Sequence, residues 1–181
     1  MTLFFTADHH FNHANIIKFT NRLFSSVEEM DAVMINRWNS VVKPKDTVYH
    51  LGDFSLANRV DHIFKQLNGT VYIIRGNHDR WVNKNAFFPI TKEGSVFLIP
   101  AQYELKHMGE TIVLSHYPMM SWNRSVHGSW HLYGHVHGRT KHPGLAMDVG
   151  IDNDDFDGYR PLNLYEICKF MSNKSQVNLD K

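Results

Sequence analysis

Five short segments of this chain carry the side chains that bind metal ions. In order they are Asp8-His9-His10, Gly52-Asp53, Gly76-Asn77-His78-Asp79, His116 within Leu114-Ser115-His116-Tyr117-Pro118, and Gly134-His135-Val136-His137-Gly138. Each sits beside a glycine or at the end of an apolar run. Together they offer enough carboxylate, imidazole and amide groups for two ions. Carboxylate oxygens and neutral imidazoles suit divalent ions such as Mn²⁺, Fe²⁺ and Zn²⁺. A carboxylate can bridge two ions through its two oxygens, and Asp53 is placed in the chain order for that role. Two ions ~3.5–4 Å apart hold a hydroxide and clamp phosphate oxygens for in-line attack on phosphorus. The leaving alkoxide then needs a proton, which an unligated histidine near the ions can donate. His78 suits that task, with Asp79 beside it to orient and charge the ring.

The elements that position these segments read as strands and helices in alternation. Apolar, β-forming runs at Leu3 to Ala7, Thr47 to Leu51, Thr70 to Ile74, Thr111 to Leu114 and Ser129 to Tyr133 each end at one of the five segments. Runs this continuously apolar indicate strands covered on both faces. Further strands are expected at Val96 to Ile99, Tyr103 to Lys106, Ala146 to Val149 and Leu162 to Ile167. Ser26-Val27-Glu28-Glu29 has the spacing of a capping box. The helix it opens carries Val27, Met30, Val33, Met34, Trp38 and Val41 on one face and ends before Pro44. A second helix is expected from about Asn58 to Leu67, stopped by Gly69, and a third around Ala14 to Phe19. In open α/β sheets, ligands sit beyond the carboxyl ends of the strands. Every metal-type residue here falls at such an end, so segments far apart in sequence can converge on one rim.

The composition bounds the rest. The 181 residues suit one domain spanning 1–181 with a sizeable core. With 43% hydrophobic and 20% charged residues the chain is globular rather than disordered. Lys plus Arg is 19 against 18 for Asp plus Glu, so charge does not indicate a nucleic-acid surface. No run approaches the ~20 apolar residues that span a bilayer, and the apolar opening reaches Asp8 too soon for a signal peptide. Cys168 is the only cysteine, which fits a reducing cytosol and a cytoplasmic protein. The polar tail from about Ser172 is expected to fray.

The series Asp-x-His, Gly-Asp, Gly-Asn-His-Asp, His and Gly-His-x-His resembles the calcineurin-like metallophosphoesterases. The resemblance runs from Asp8 to His137 with no motif broken, and Asp8 to His13 and Tyr49 to Phe54 look like the small bacterial and phage members. It implies an α/β/β/α sandwich of four layers, two mixed sheets flanked by helices, with a dimetal site at the rim. It implies that Asp8, His10 and His137 bind the first ion and that Asn77, His116 and His135 bind the second. Asp53 would bridge them, His78 would be the catalytic histidine and Asp79 its partner. Two divalent ions are implied as cofactors, Mn²⁺ first, with Fe, Zn and Ni as alternatives. The implied activity is hydrolysis of phosphodiesters or phosphomonoesters, often of nucleotides. The chain has little room for a substrate-selecting cap, so the site is expected to be open.

His9, His50 and His131 read as core or supporting groups. Asn12 and His13, just past the first motif, suit either a substrate phosphate or local capping. Arg124 offers a guanidinium for phosphate oxygens, and Trp122 a flat ring for a nucleobase or a lid on the core edge. Three functions are consistent with the whole: a phosphodiesterase on a nucleotide or other small ester, a nuclease on short or single-stranded nucleic acid, and a non-catalytic scaffold on the same fold. The intact ligand set favours an enzyme, and the near-neutral charge favours a small substrate.

Overall fold

The computed structural model describes residues 1–82, 90–156 and 158–177. Residues 178–181 of the polar tail lie outside the described residues. The chain begins with β1 (Leu3–Thr6), followed by α1 (Ala14–Phe19), α2 (Val27–Val41), β2 (Thr47–His50), α3 (Asp61–Phe64) and β3 (Thr70–Ile73). Next come β4 (Val96–Leu98), β5 (Gln102–His107) and β6 (Glu110–Ser115). The last part holds β7 (Trp130–Tyr133), β8 (Ala146–Asp148), β9 (Leu162–Asn163) and α4 (Leu164–Met171).

Two mixed sheets face each other. The first has the order β4-β3-β2-β1-β9 and the second β5-β6-β7-β8. Strands β1 to β4 are mutually parallel, with Leu3 opposite Thr47 and Thr47 opposite Thr70, and β9 is antiparallel at the edge. In the second sheet β6, β7 and β8 are parallel and β5 is antiparallel. Alternation along each strand sends side chains to opposite faces. Phe4, Val48, Val71 and Ile73 pack under α1 to α3 with Met30, Met34 and Trp38. Phe5, Tyr49, Ile112, Leu114, Leu132 and Met147 fill the space between the sheets. The sheets join at one end of β1, where Ala7 pairs with Gly150 and the Ile151 N–H donates to the Ala7 carbonyl.

The outer face of the second sheet carries Val113, Tyr133 and Ala146. It is covered by the loop leading to a single 3₁₀ turn at Ser125–His127, with Trp122 as its main apolar group. Among the described residues, that loop and one turn are what packs on this face.

Helix α2 starts and stops where its pattern predicts. Ser26 Oγ accepts from the Glu29 N–H at 3.1 Å, while the Glu29 carboxylate reaches back to the Ser25 N–H rather than to Ser26. The stretch from Leu162 to Ile167 differs from expectation. Only Leu162–Asn163 is strand, and the chain then turns into α4. The reason is a capping box: the Asn163 side chain accepts from the Glu166 N–H, and the Glu166 carboxylate accepts from the Asn163 N–H. Ile167 and Met171 of α4 then join the core between the sheets. Helix α3 is shorter than the expected Asn58 to Leu67, yet Val60, Ile63, Phe64 and Leu67 are all buried as its pattern requires. The start of the tail is anchored, since Lys174 Nζ donates to the His142 and Ala146 carbonyls at 2.7 and 2.6 Å. Among the described residues no helix is long and apolar enough to cross a membrane.

Candidate metal centre at the strand ends

All five motifs leave the carboxyl ends of parallel strands on the rim where the two sheets meet. Asp8 and His10 follow β1, Asp53 follows β2, Asn77 and His78 follow β3, His116 follows β6, and His135 and His137 follow β7. The side chains form two groups, Asp8 with His10 and His137, and Asp53 with His116 and His135; within each, the ligand atoms lie within 4.8 Å of one another. Asn77 Oδ1 lies 3.1 Å from His116 Nε2 and so belongs with the second group. Asp53 Oδ2 lies between the groups, 3.5 Å from His10 Nε2, 3.6 Å from His116 Nε2 and 4.0 Å from His78 Nε2.

The loops reach these positions through unusual backbone. Asp8, His10, Asp53, His135 and His137 all have positive φ, between 50° and 72°. That region is disfavoured for residues with a side chain, though Asp and His tolerate it better than most. Close glycine packing completes the arrangement. A Cβ on Gly76 would stand 2.2 Å from both Asp53 N and Asp53 Oδ1. One on Gly52, whose φ is +97°, would stand 2.7 Å from Gly76 N and His116 Nδ1. The loops after β2 and β3 touch backbone to backbone, and only glycine permits it.

The hydrogen bonds show where the lone pairs point. His116 Nδ1 lies 2.8 Å from the Leu51 carbonyl and His137 Nδ1 2.6 Å from Asp152 Oδ2. Nδ1 is the donor in both, so in its neutral form each ring would turn a bare Nε2 into the site. His116 Nε2 then meets Asn77 Oδ1 and Asp53 Oδ2, acceptor against acceptor. Asp8 Oδ1 and His10 Nε2 are buried with no hydrogen-bond partner. Burial, reinforced by the carboxylates of Asp148 and Asp53, pushes the Asp8 carboxyl well above its usual range. Burial, with repulsion from His137, holds His10 well below the usual imidazole range. Acceptors facing acceptors, orphaned buried lone pairs and crowded carboxylates are all relieved by cations. The donor set of imidazoles, carboxylates and one amide fits divalent transition ions.

Asp79 requires a correction. Its carboxylate does not orient His78. Oδ2 accepts from the Asp53 and Gly76 N–H groups, both at 2.8 Å. Oδ1 accepts from Phe54 N, Ser55 N and Trp81 Nε1 at 2.8, 3.2 and 3.0 Å. Burial raises the carboxyl pKa, and these donors oppose the rise. Asp79 is therefore a buried hub joining the loops after β2 and β3. The His78 backbone N–H donates instead to Asp53 Oδ1 at 2.8 Å, and its side chain is 39% exposed at the mouth of the site.

Trp122 takes the second of its two expected roles, and Arg124 does not reach the site. Trp122 is 8% exposed, packs on the second sheet, and donates its indole N–H to Ser129. The lid on the core edge is what it forms, with its ring packed against those of His131 and His142. Arg124 adopts φ 62° at the start of the 3₁₀ turn, where its carbonyl accepts from His127 and Ser129, and it joins neither ligand group. Asn12 is exposed beside the first motif, and its N–H donates to the Asp31 carboxylate. His13 makes no side-chain cap on α1; its Nδ1 lies 3.3 Å from His10 Nδ1.

His9 and His50 lie in the core as supporting groups. The Gly52 N–H donates to His50 Nδ1, so His50 Nε2 carries the proton and donates to His9 Nδ1 at 3.0 Å. Burial keeps this pair uncharged, with His50 pushed down to about 3. Several residues of the site were not legible beforehand. Arg22 and Asp152 support the first group, and Tyr117 packs edge-on against His116 and His135. Arg22 and Asp152 lie in loops with no periodicity to flag them. Tyr117 adjoins a ligand, which was its one available signal.

An α/β fold that gathers two ion-binding groups at the carboxyl ends of its parallel strands defines the architecture of a metal-dependent hydrolase. The comparison with known proteins narrows this. A model of the calcineurin-like phosphoesterase superfamily domain matches residues 1–144, and the chain belongs to that superfamily. An uncharacterised protein of Methanocaldococcus jannaschii is 34% identical over 182 residues, covering 93% of this chain and 90% of its own. The gene 66 protein of Mycobacterium phage L5 is 30% identical over 177 residues, covering 82% and 85%. The crystal structure of a protein of unknown function from Aquifex aeolicus aligns with a TM-score of 0.66 at 25% identity, over 93% of this chain and 98% of that one.

Proposed function

We propose that the protein is a dinuclear metal-dependent phosphodiesterase acting on nucleotides or other small phosphate esters. The observation that carries this reading is the position of Asp53 Oδ2 between two groups of side chains that could each hold an ion. Two divalent ions at such positions supply a hydroxide nucleophile at neutral pH and polarise the phosphate oxygens. Asp8, His10 and His137 would hold one ion, Asn77, His116 and His135 the other, and Asp53 would serve both. His78 keeps its ring out of both groups at the solvent edge, where its Nε2 donates a proton to the leaving oxygen. Mn²⁺ is the ion we expect first, since the carboxylate and amide oxygens suit it, while the imidazoles also suit Fe, Zn and Ni.

Access and rim chemistry support a small ester with a ring. Asn77 is exposed and no cap stands over the rim among the described residues. Two exposed aromatics flank it: Tyr117 (51% exposed) beside His116 and His135, and Phe19 (62% exposed) edge-on to His13. Either could stack on a base or aryl group.

The test compares bis(p-nitrophenyl) phosphate with p-nitrophenyl phosphate, using metal-stripped protein before and after Mn²⁺ is restored. Diester hydrolysis that depends on Mn²⁺ is expected. A preference for the monoester would make the protein a phosphatase, and bound metal with no hydrolysis of either ester would turn the reading toward a scaffold.

A further inference from the structure

Two charged hubs organise the rim. Asp79 gathers N–H donors around the loops that hold Asp53 and Asn77. Arg22 does the converse for the first group. It is 4% exposed, in the loop after α1. Its Nε and Nη2 form a bidentate pair with Asp152 at 2.7 and 2.8 Å. Nη2 also donates to the Asp8 carbonyl at 2.7 Å, and Nη1 to the His9 carbonyl at 2.8 Å. These carbonyls belong to the left-handed bend that carries Asp8 and His10. Asp152 in turn receives the His137 Nδ1–H at 2.6 Å. One guanidinium thus ties together the backbone under Asp8 and His10 and the carboxylate behind His137. Those are the three members of the first group.

Among the described residues no such guanidinium–carboxylate pair backs the second group. The imidazole of His116 is backed by a neutral carbonyl, that of Leu51. A carboxylate behind a ligating imidazole raises its basicity and fixes its tautomer, and losing such a partner typically weakens metal binding ~10–100-fold. Asp148 also acts on Asp8 and is held by the Gly138 and Gly150 N–H groups, while the charge of Asp152 is met by Arg22.

We propose that Arg22 and Asp152 are positioning residues that make the Asp8–His10–His137 position the tighter of two unequal metal positions. The inference rests on the two-ion reading above. Arg22 is suited to this as lysine is not, because a planar fork satisfies one carboxylate and two carbonyls at fixed angles. The chain would then fill in order, with one ion bound firmly and the second exchanging more readily.

The experiment is Mn²⁺ titration of metal-stripped full-length protein, with free Mn²⁺ read by its EPR signal and folding checked by circular dichroism. Wild type should bind two ions with distinct affinities. In a His135→Ala background, which leaves the first group whole, adding Asp152→Asn should weaken the retained ion ~10–100-fold. In a His137→Ala background the same addition should leave affinity unchanged. Arg22→Lys, which keeps the charge and loses the fork, should weaken the tight position of the otherwise wild-type protein and spare the weak one. Two ions of equal affinity, or an Asp152→Asn effect that is equal in both backgrounds or absent from both, would overturn the inference and leave the two-ion reading intact. Wild type that binds no Mn²⁺ would overturn both. Loss of fold in both Asp152→Asn and Arg22→Lys would overturn the inference by making the pair a folding element.

Discussion

Replacing Asp79 with Asn separates a structural hub from a catalytic partner. The side chain has the same shape but only one acceptor oxygen. Its amide nitrogen must face either the Asp53 and Gly76 N–H groups or those of Phe54, Ser55 and the Trp81 indole. The cheaper orientation gives up two hydrogen bonds to a charged acceptor, each ~1.5–3 kcal/mol, and leaves two buried N–H groups facing another donor. That sums to about 3–6 kcal/mol, reduced by relief of the carboxylate's own desolvation. We expect a net loss of about 3 kcal/mol, or a Tm lowered by roughly 6–12 °C for a chain of this size. Urea unfolding should be followed by tryptophan fluorescence in excess chelator, so that metal binding adds nothing to the measured stability. Mn²⁺ affinity should fall as well, because the Asp53 loop loses its anchor. A variant as stable as wild type that only turns over more slowly would refute this reasoning and return Asp79 to the role of orienting His78.

Other perturbations test separate links. His78→Ala should retain both Mn²⁺ ions by EPR while diester turnover falls ~10²–10⁴-fold, as for loss of a general acid; release of metal would make His78 a ligand. Gly76→Ala should cost more than ~4 kcal/mol or yield no folded protein, because its Cβ would overlap Asp53. Gly109→Ala, where a Cβ meets nothing within 4 Å and only the +88° φ resists, should cost ~1–2 kcal/mol in the same unfolding assay. His131 donates Nδ1–H to the Val113 carbonyl and accepts the Met119 N–H at Nε2, and burial pushes its pKa down to about 4. The unfolded chain therefore takes up this proton first, so stability falls as pH drops from about 6.5 to about 4 and the loss is complete below that. Its imidazole resonances by NMR should stay neutral down to about pH 4, and titration near 6.5 would contradict the buried geometry.

How much was legible beforehand varies with the kind of residue. The ligands announced themselves because each follows an apolar run and borders glycine or another ligand type, so strand ends and site were read together. Helix α2 was legible from Ser26 and its apolar spacing. Helix α4 was misread because Leu162 to Ile167 is short and apolar, and the Asn163 to Glu166 spacing that caps it was passed over. Asp79 was misassigned because adjacency in sequence suggested adjacency in space. On the turn after β3, consecutive side chains diverge, and this one points back under the loops. Trp122 offered two readings that only packing could separate. Arg22 and Asp152 are 130 positions apart and meet through tertiary structure alone.

Five proposed ligands held in left-handed backbone, at ~1 kcal/mol or more each, amount to a strain on the order of 5 kcal/mol. That is comparable with the whole stability margin of many small proteins. The rim and the fold thus pull in opposite directions, and in the two-ion reading proposed above bound cations would reconcile them. In directed evolution this predicts an order of loss. A library selected for heat resistance alone, with no demand for hydrolysis, should replace Asp8, His10, Asp53, His135 and His137 with glycine or asparagine before its core changes. A natural descendant relieved of its chemistry would drift the same way, so glycine at those positions would be the fossil of a discarded active site.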